Sequence, residues 1–179
     1  LPEKLIIDGK PQFGTYKTYP QKLDIKYVKE PFFTIPLPSF FTNLRIRANL
    51  SYTINIDNFV GVVDFFDSKY FCFIEVVLWD KETKKKYAYR TIFGFKRLVP
   101  KNMFKATCGN FRKRRYIKIS WDKSQNKFTL VFNCKGDDAR PNFAATFKRN
   151  GELIGELCSV IPSPTRRRCT ASYCKVFPI

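Results

Sequence analysis

Residues 109 to 121, Gly-Asn-Phe-Arg-Lys-Arg-Arg-Tyr-Ile-Lys-Ile-Ser-Trp, set four consecutive cations directly in front of an alternating apolar run. At that density Arg112, Lys113, Arg114 and Arg115 suit one chemistry, the gripping of a polyanion, and one bland role, the solvation of a strand end. Lys84-Lys85-Lys86 and Arg166-Arg167-Arg168, the latter after a Pro-Ser-Pro loop, repeat the composition. Phe111, Tyr116 and Tyr173 flank these clusters, and exposed rings beside cations are what stacking on a single-stranded nucleic acid requires. In a chain with 19 Phe the same rings more simply cover the ends of a β-fold, and no recognisable nucleic-acid-binding motif accompanies them.

Catalytic chemistry is less well supplied. Histidine, whose unperturbed pKa suits proton transfer near neutrality, is absent. Cys108, close to Arg112 and Lys113, is the best candidate for an activated nucleophile, yet it reads more simply as an ordinary loop thiol. Asp137 and Asp138 form an adjacent carboxylate pair, but adjacent side chains diverge, and residues 136–141 read first as a turn with Arg140 as its local counter-ion. The six cysteines show no C-x-x-C pair, and Cys169 and Cys174, the closest two, have no histidine to complete a four-ligand zinc site. The expectation is a non-enzyme with no catalytic residue, no metal and no cofactor.

Composition sharpens the partner class. Lys and Arg number 33 against 15 Asp and Glu, a formal charge of +18 whose self-repulsion an acidic partner would offset. A chain of 179 residues fits a single domain with a sizeable core of its own. No apolar run is long enough to cross a bilayer as a helix, and no leader-like segment opens the chain. Reduced, dispersed cysteines point to an intracellular, cytoplasmic or cytoskeletal setting. The acceptor pattern Asn49-Leu50-Ser51 falls inside a regular strand and is read as inert.

The elements that carry the cations are strands. From Leu44 to Ile56 apolar residues occupy every second position, which predicts a half-buried strand with Leu44, Ile46, Leu50 and Ile54 inward and Arg45 and Arg47 outward. Hairpins are expected between Tyr70–Asp80 and Tyr87–Phe95, between Tyr116–Asp122 and Lys127–Cys134, and across Asn150-Gly151 between 142–148 and 152–159. Prolines at 31, 36, 38 and 100 fall in the connections, and no helix stands out. The fold class is therefore all-β, an antiparallel up-and-down barrel or a sandwich. Residues 1–179 form one domain in this reading, with 1–40 a proline-rich lead-in and 160–179 a basic tail.

Residues 93–95 (Phe-Gly-Phe), 98–100 (Leu-Val-Pro), 114–122 and above all the Asp-x-Arg-Pro-x-Phe element from Asp138 to Phe143 add a family resemblance. From about Leu5 onward the chain resembles a domain-of-unknown-function family numbered 2804, which is itself distantly similar to the lipocalin-like, double-barrel proteins that include tocopherol cyclase and carotenoid hydratase. The resemblance implies that this chain corresponds to the first barrel of such a protein and the start of the crossing into the second, with 160–179 leading there. It implies no activity.

The functional expectation is a non-catalytic β-barrel module that docks through basic loops, Lys84, Lys85, Lys86, Arg112, Lys113, Arg114, Arg115, Arg166, Arg167 and Arg168, on an acidic macromolecular assembly. An acidic protein lattice such as a microtubule is the preferred partner, since strand ends with large aromatics make good protein contacts. A nucleic acid and an anionic membrane surface satisfy the same electrostatics. The alternative is a lipocalin-like carrier of a small apolar ligand held inside the barrel.

Overall fold

The computed structural model describes residues 4–17, 22–26, 28, 38–44, 46–68, 70–149, 155–161 and 170–176. Three short strands, β1 (Ile6–Ile7), β2 (Lys10–Pro11) and β3 (Gly14–Tyr16), precede a short helix, α1 (Ser39–Leu44). A first antiparallel sheet follows in sequence order: β4 (Ala48–Ile56), β5 (Phe59–Asp67), β6 (Phe71–Asp80) and β7 (Lys86–Gly94). A second is built the same way from β8 (Lys105–Arg112), β9 (Arg115–Asp122), β10 (Lys127–Cys134) and β11 (Phe143–Lys148). The last two strands, β12 (Gly155–Ile161) and β13 (Thr170–Val176), pair with each other, and β3 pairs along the other side of β12.

The chain is all-β and antiparallel in its sheets, and its two four-stranded sheets form a sandwich. No ladder joins β4 or β7 to the second sheet among the described residues, so the sheets do not close into a barrel. Alternation drives this architecture, because every second side chain of a strand faces the same side. Ile54, Val63, Phe65, Ile74, Val76 and Leu78 of the first sheet pack against Ile117, Ile119, Phe128, Leu130 and Phe132 of the second in one apolar core. Each such side chain contributes about 1.5–3 kcal/mol on burial. Rings bridge the two layers, with Tyr52 5.2 Å from Phe128 and Phe59 4.8 Å from Phe143.

The sheets cross steeply. Arg112, Arg115, Cys134 and Phe143 form one register row across the second sheet. Arg112 meets Phe93, Arg115 meets Tyr89, and Phe143 meets Tyr87, so this row runs along β7. A row perpendicular to the second sheet's strands that follows a strand of the first is the geometry of orthogonal packing.

Several expectations are corrected. Leu44 ends α1 and Ile46 lies in the connection to β4, so the strand expected from Leu44 starts at Ala48; Leu50 packs on the core, Ile54 is buried and Arg47 is exposed as expected, while Arg45 lies outside the described residues. The β6–β7 and β9–β10 hairpins are present in full register. The expected β11–β12 hairpin is not, because the two strands belong to different sheets; Asn150-Gly151 itself lies outside the described residues. The physical reason is that they bury into different cores. Phe143, Ala145 and Phe147 pack on the sandwich, whereas Cys158 and Val160 pack with Leu5 in a second, smaller cluster. The two segments read as a lead-in and a tail in fact supply β3 and β13, which flank β12 in that third sheet. A bridge between Lys22 and Asn102, the Leu23 amide on the Lys101 carbonyl (3.1 Å) and the Lys101–Asp24 ion pair (2.6 Å) tie the segment after β3 to the β7–β8 connection.

Candidate functional site

Arg112 to Arg115 form the tight turn between β8 and β9, with Lys113 and Arg114 at its tip. The turn is braced from beneath by Asn110, a buried amide that donates to the Arg115 carbonyl (2.7 Å) and accepts from the Arg112 amide (3.3 Å). The four cations do not share one role. Arg115 donates to the carbonyls of Arg114 (2.8 Å) and Lys135 and lies 5.1 Å from the Tyr89 ring centroid, so it is part of the fold. Arg112 lies 5.4 Å from the Phe93 ring centroid, and Lys113 and Arg114 are exposed.

Tyr89 is the hub that fixes this end of the second sheet. It is fully buried, its hydroxyl donates to the Pro141 carbonyl (2.6 Å), and the Arg140 guanidinium lies 5.7 Å from its ring. Arg140 also donates to the Ala88 carbonyl (2.9 Å) and forms an ion pair with Asp137. Residues 136–141 are therefore the expected turn with Arg140 as counter-ion, and Asp137 rather than Asp138 is its partner. The Asp137 carboxyl is held below the usual range by those hydrogen bonds from Arg140. Gly136 is required there, since a Cβ would stand 2.0 Å from the Arg140 carbonyl oxygen. Asp137 is thus engaged within the turn, and Asp138 is exposed beside it.

Cys108 is corrected from a loop thiol to a core one. It lies within β8 facing the sandwich interior, and burial pushes its thiol up to about 12, away from the thiolate a nucleophile needs. Burial likewise raises Cys134 to about 11. Cys72, Cys108, Cys134 and Cys158 are all free and buried. No cluster of three or more metal-ligating side chains occurs among the described residues.

Of the other two basic clusters, Lys84 to Lys86 does not join the turn. Lys84, with a left-handed φ of 58°, and Lys85 sit in the β6–β7 turn, and Lys86 lies 5.4 Å from the Trp79 ring. Lys86 begins β7 and Phe93 lies near its end, seven residues on or roughly 23 Å at strand rise. The two clusters are thus at opposite ends of one strand. Arg166, Arg167 and Arg168 lie outside the described residues.

What the structure adds is the segment 95–97. Lys96 lies 5.1 Å from the same Phe93 ring that seats Arg112, which brings Phe95-Lys96-Arg97 beside Phe111-Arg112-Lys113-Arg114. Phe95 is 88% exposed and Phe111 60%. Arg97, Arg112, Lys113 and Arg114 make no salt bridge to a carboxylate among the described residues. The sequence signal was available: a phenylalanine followed directly by cations occurs at both 95–97 and 111–114. Only the β7–β8 crossing reveals that the two copies meet.

No family model, no curated protein and no solved structure matches the chain. The resemblance carried by Asp138 to Phe143 stands on that sequence alone.

Proposed function

We propose that the protein is a non-catalytic β-sandwich module that docks on the acidic surface of a macromolecular assembly through the rim formed by residues 95–97 and the β8–β9 turn. The observation that carries this reading is the convergence of Lys96 and Arg112 on Phe93, which concentrates cations from two distant segments on one edge. A net charge of +18 supplies long-range attraction, and the rim supplies orientation. An acidic protein lattice such as a microtubule and an anionic membrane face share the chemistry this rim recognises, and an intracellular, cytoplasmic or cytoskeletal location suits both. The carrier alternative is less favoured, because the space between the sheets is occupied by interlocking side chains such as Phe65, Ile74, Phe132 and Tyr89.

The test compares two variants that remove equal charge: Arg97→Gln/Lys113→Gln/Arg114→Gln on the rim, and Lys84→Gln/Lys85→Gln/Lys86→Gln at the far end of β7. Retention on immobilised polyglutamate and on heparin is read across a salt gradient. The rim variant is expected to elute at distinctly lower salt than the control variant, since contacts at the docking face are screened out first. Equal shifts would mean that only total charge matters, and the rim would lose its role.

A further inference from the structure

The same end of the sandwich exposes more than cations. The Phe95 amide donates to the Tyr70 carbonyl (3.3 Å), and Phe71 pairs with Gly94, so the β5–β6 turn and the exit of β7 are adjacent. Tyr70 is 54% exposed, Phe71 47%, Ile92 63% and Phe95 88%. Phe71 and Ile92 rise from the outward face of the first sheet, where Phe66 lies 5.8 Å from Phe71 and 5.0 Å from Phe73, and Ile92 is Phe73's cross-strand neighbour. At about 200 Å² for a large side chain, these four expose on the order of 500 Å², in the upper part of the range for the largest apolar patch of a monomer.

We infer that this end inserts into an anionic bilayer surface, with Tyr70, Phe71, Ile92 and Phe95 entering the headgroup–acyl boundary and Lys96, Arg97 and Arg112 meeting the lipid phosphates. The inference rests on the docking reading above and names its partner. Three features favour a bilayer over the other acidic surfaces. First, the protruding set mixes aliphatic with aromatic side chains, and Ile92 offers no ring face for a base to stack on, whereas hydrocarbon accepts all four. Second, the residues rise from strand ends and a turn at one end of the molecule, a shape that dips into a fluid surface without needing pockets on the partner. Third, Lys96 and Arg97 follow Phe95 directly, which places cations at headgroup level when the ring is immersed. Of the acidic groups near this end, Asp137 is held by Arg140, Glu75 is paired with Arg90, and Asp67 at the end of β5 is buried.

The experiment uses the full chain with vesicles of phosphatidylcholine alone and of phosphatidylcholine with phosphatidylserine, measured by co-sedimentation. Single-stranded oligouridylate and polyglutamate serve as competing polyanions. Two variants are compared with the parent: Ile92→Ser/Phe95→Ser, and the rim charge variant. Binding is expected to require phosphatidylserine, and the apolar variant is expected to bind about tenfold or more weakly to those vesicles, as loss of partly buried large side chains implies. Its polyglutamate retention and thermal midpoint should not move, because both side chains are largely exposed. Vesicle binding unaffected by Ile92→Ser/Phe95→Ser would overturn insertion, as would loss of oligouridylate binding in that variant, which would assign the aromatics to nucleic acid. Polyglutamate retention that depends on the rim without any vesicle binding would sink the membrane partner and leave docking standing. Retention that ignores the rim would remove both.

Discussion

Ionising Tyr89 would put an anion in the sandwich core, where its hydroxyl donates to the Pro141 carbonyl. Burial pushes that hydroxyl from 10.0 up to about 12, even though Arg140 and Arg115 beside the ring pull it down. The group stays protonated in the fold over a range where the unfolded chain has lost its proton. Its contribution to stability is therefore complete below about pH 10 and falls away as pH rises to about 12. Tyr89→Phe should make the alkaline loss of stability shallower, while removing one buried hydrogen bond costs about 1 kcal/mol at neutral pH. Denaturant titrations at neutral pH and between pH 10 and 12 would check this, and identical alkaline limbs in both proteins would contradict it. Cys108 and Cys134, also raised by burial, keep part of the slope in either protein.

The β8–β9 turn separates structural cations from displayed ones. Arg115→Gln should lower stability by about 1–3 kcal/mol, because it withdraws a charged donor from the Lys135 and Arg114 carbonyls and from the Tyr89 ring. Lys113→Gln/Arg114→Gln should leave the thermal midpoint within error, as unpaired surface charges contribute little. Paired melting curves decide it, and equal effects would mean that the turn is uniform. The four cations are legible in the sequence as a cluster; their division is not, because it depends on which strand of the other sheet passes beneath. Strands β4, β6, β7, β9 and β10 were legible for a definite reason, that one face of each is apolar and the pattern alternates. β5 was not, since Val60, Val62 and Phe66 on its outward face fill the gaps that alternation needs. β8 is not legible because Asn110 breaks the apolar alternation of its inward face and Gly109 leaves the other face without a side chain; a Cβ on Gly109 would stand 2.1 Å from the Ile117 carbonyl oxygen, so the glycine is required by close pairing. The Asn150-Gly151 signal was strong locally and gave the wrong partner, since turn chemistry carries no information about which core each flanking strand enters.

At the scale of the whole molecule there are two apolar clusters of unequal size. Among the described residues the smaller has only Leu5, Cys158 and Val160 fully buried, whereas the larger spans eight strands. Native-state hydrogen exchange should therefore show the amides of Cys158 and Val160 opening at lower free energy than those of Ile74, Ile119 and Leu130. Protection of equal size in both sheets would show that the third sheet unfolds only with the sandwich. The pairing of Tyr16 with Cys158 has a further consequence during synthesis. At about 5–20 residues per second, the roughly 140 positions between them take on the order of ten seconds to be translated, and both four-stranded meanders emerge in that interval. The sandwich can thus assemble locally while β3 waits without its partner, a bare strand edge of the kind that chaperones cover or that neighbouring nascent chains capture.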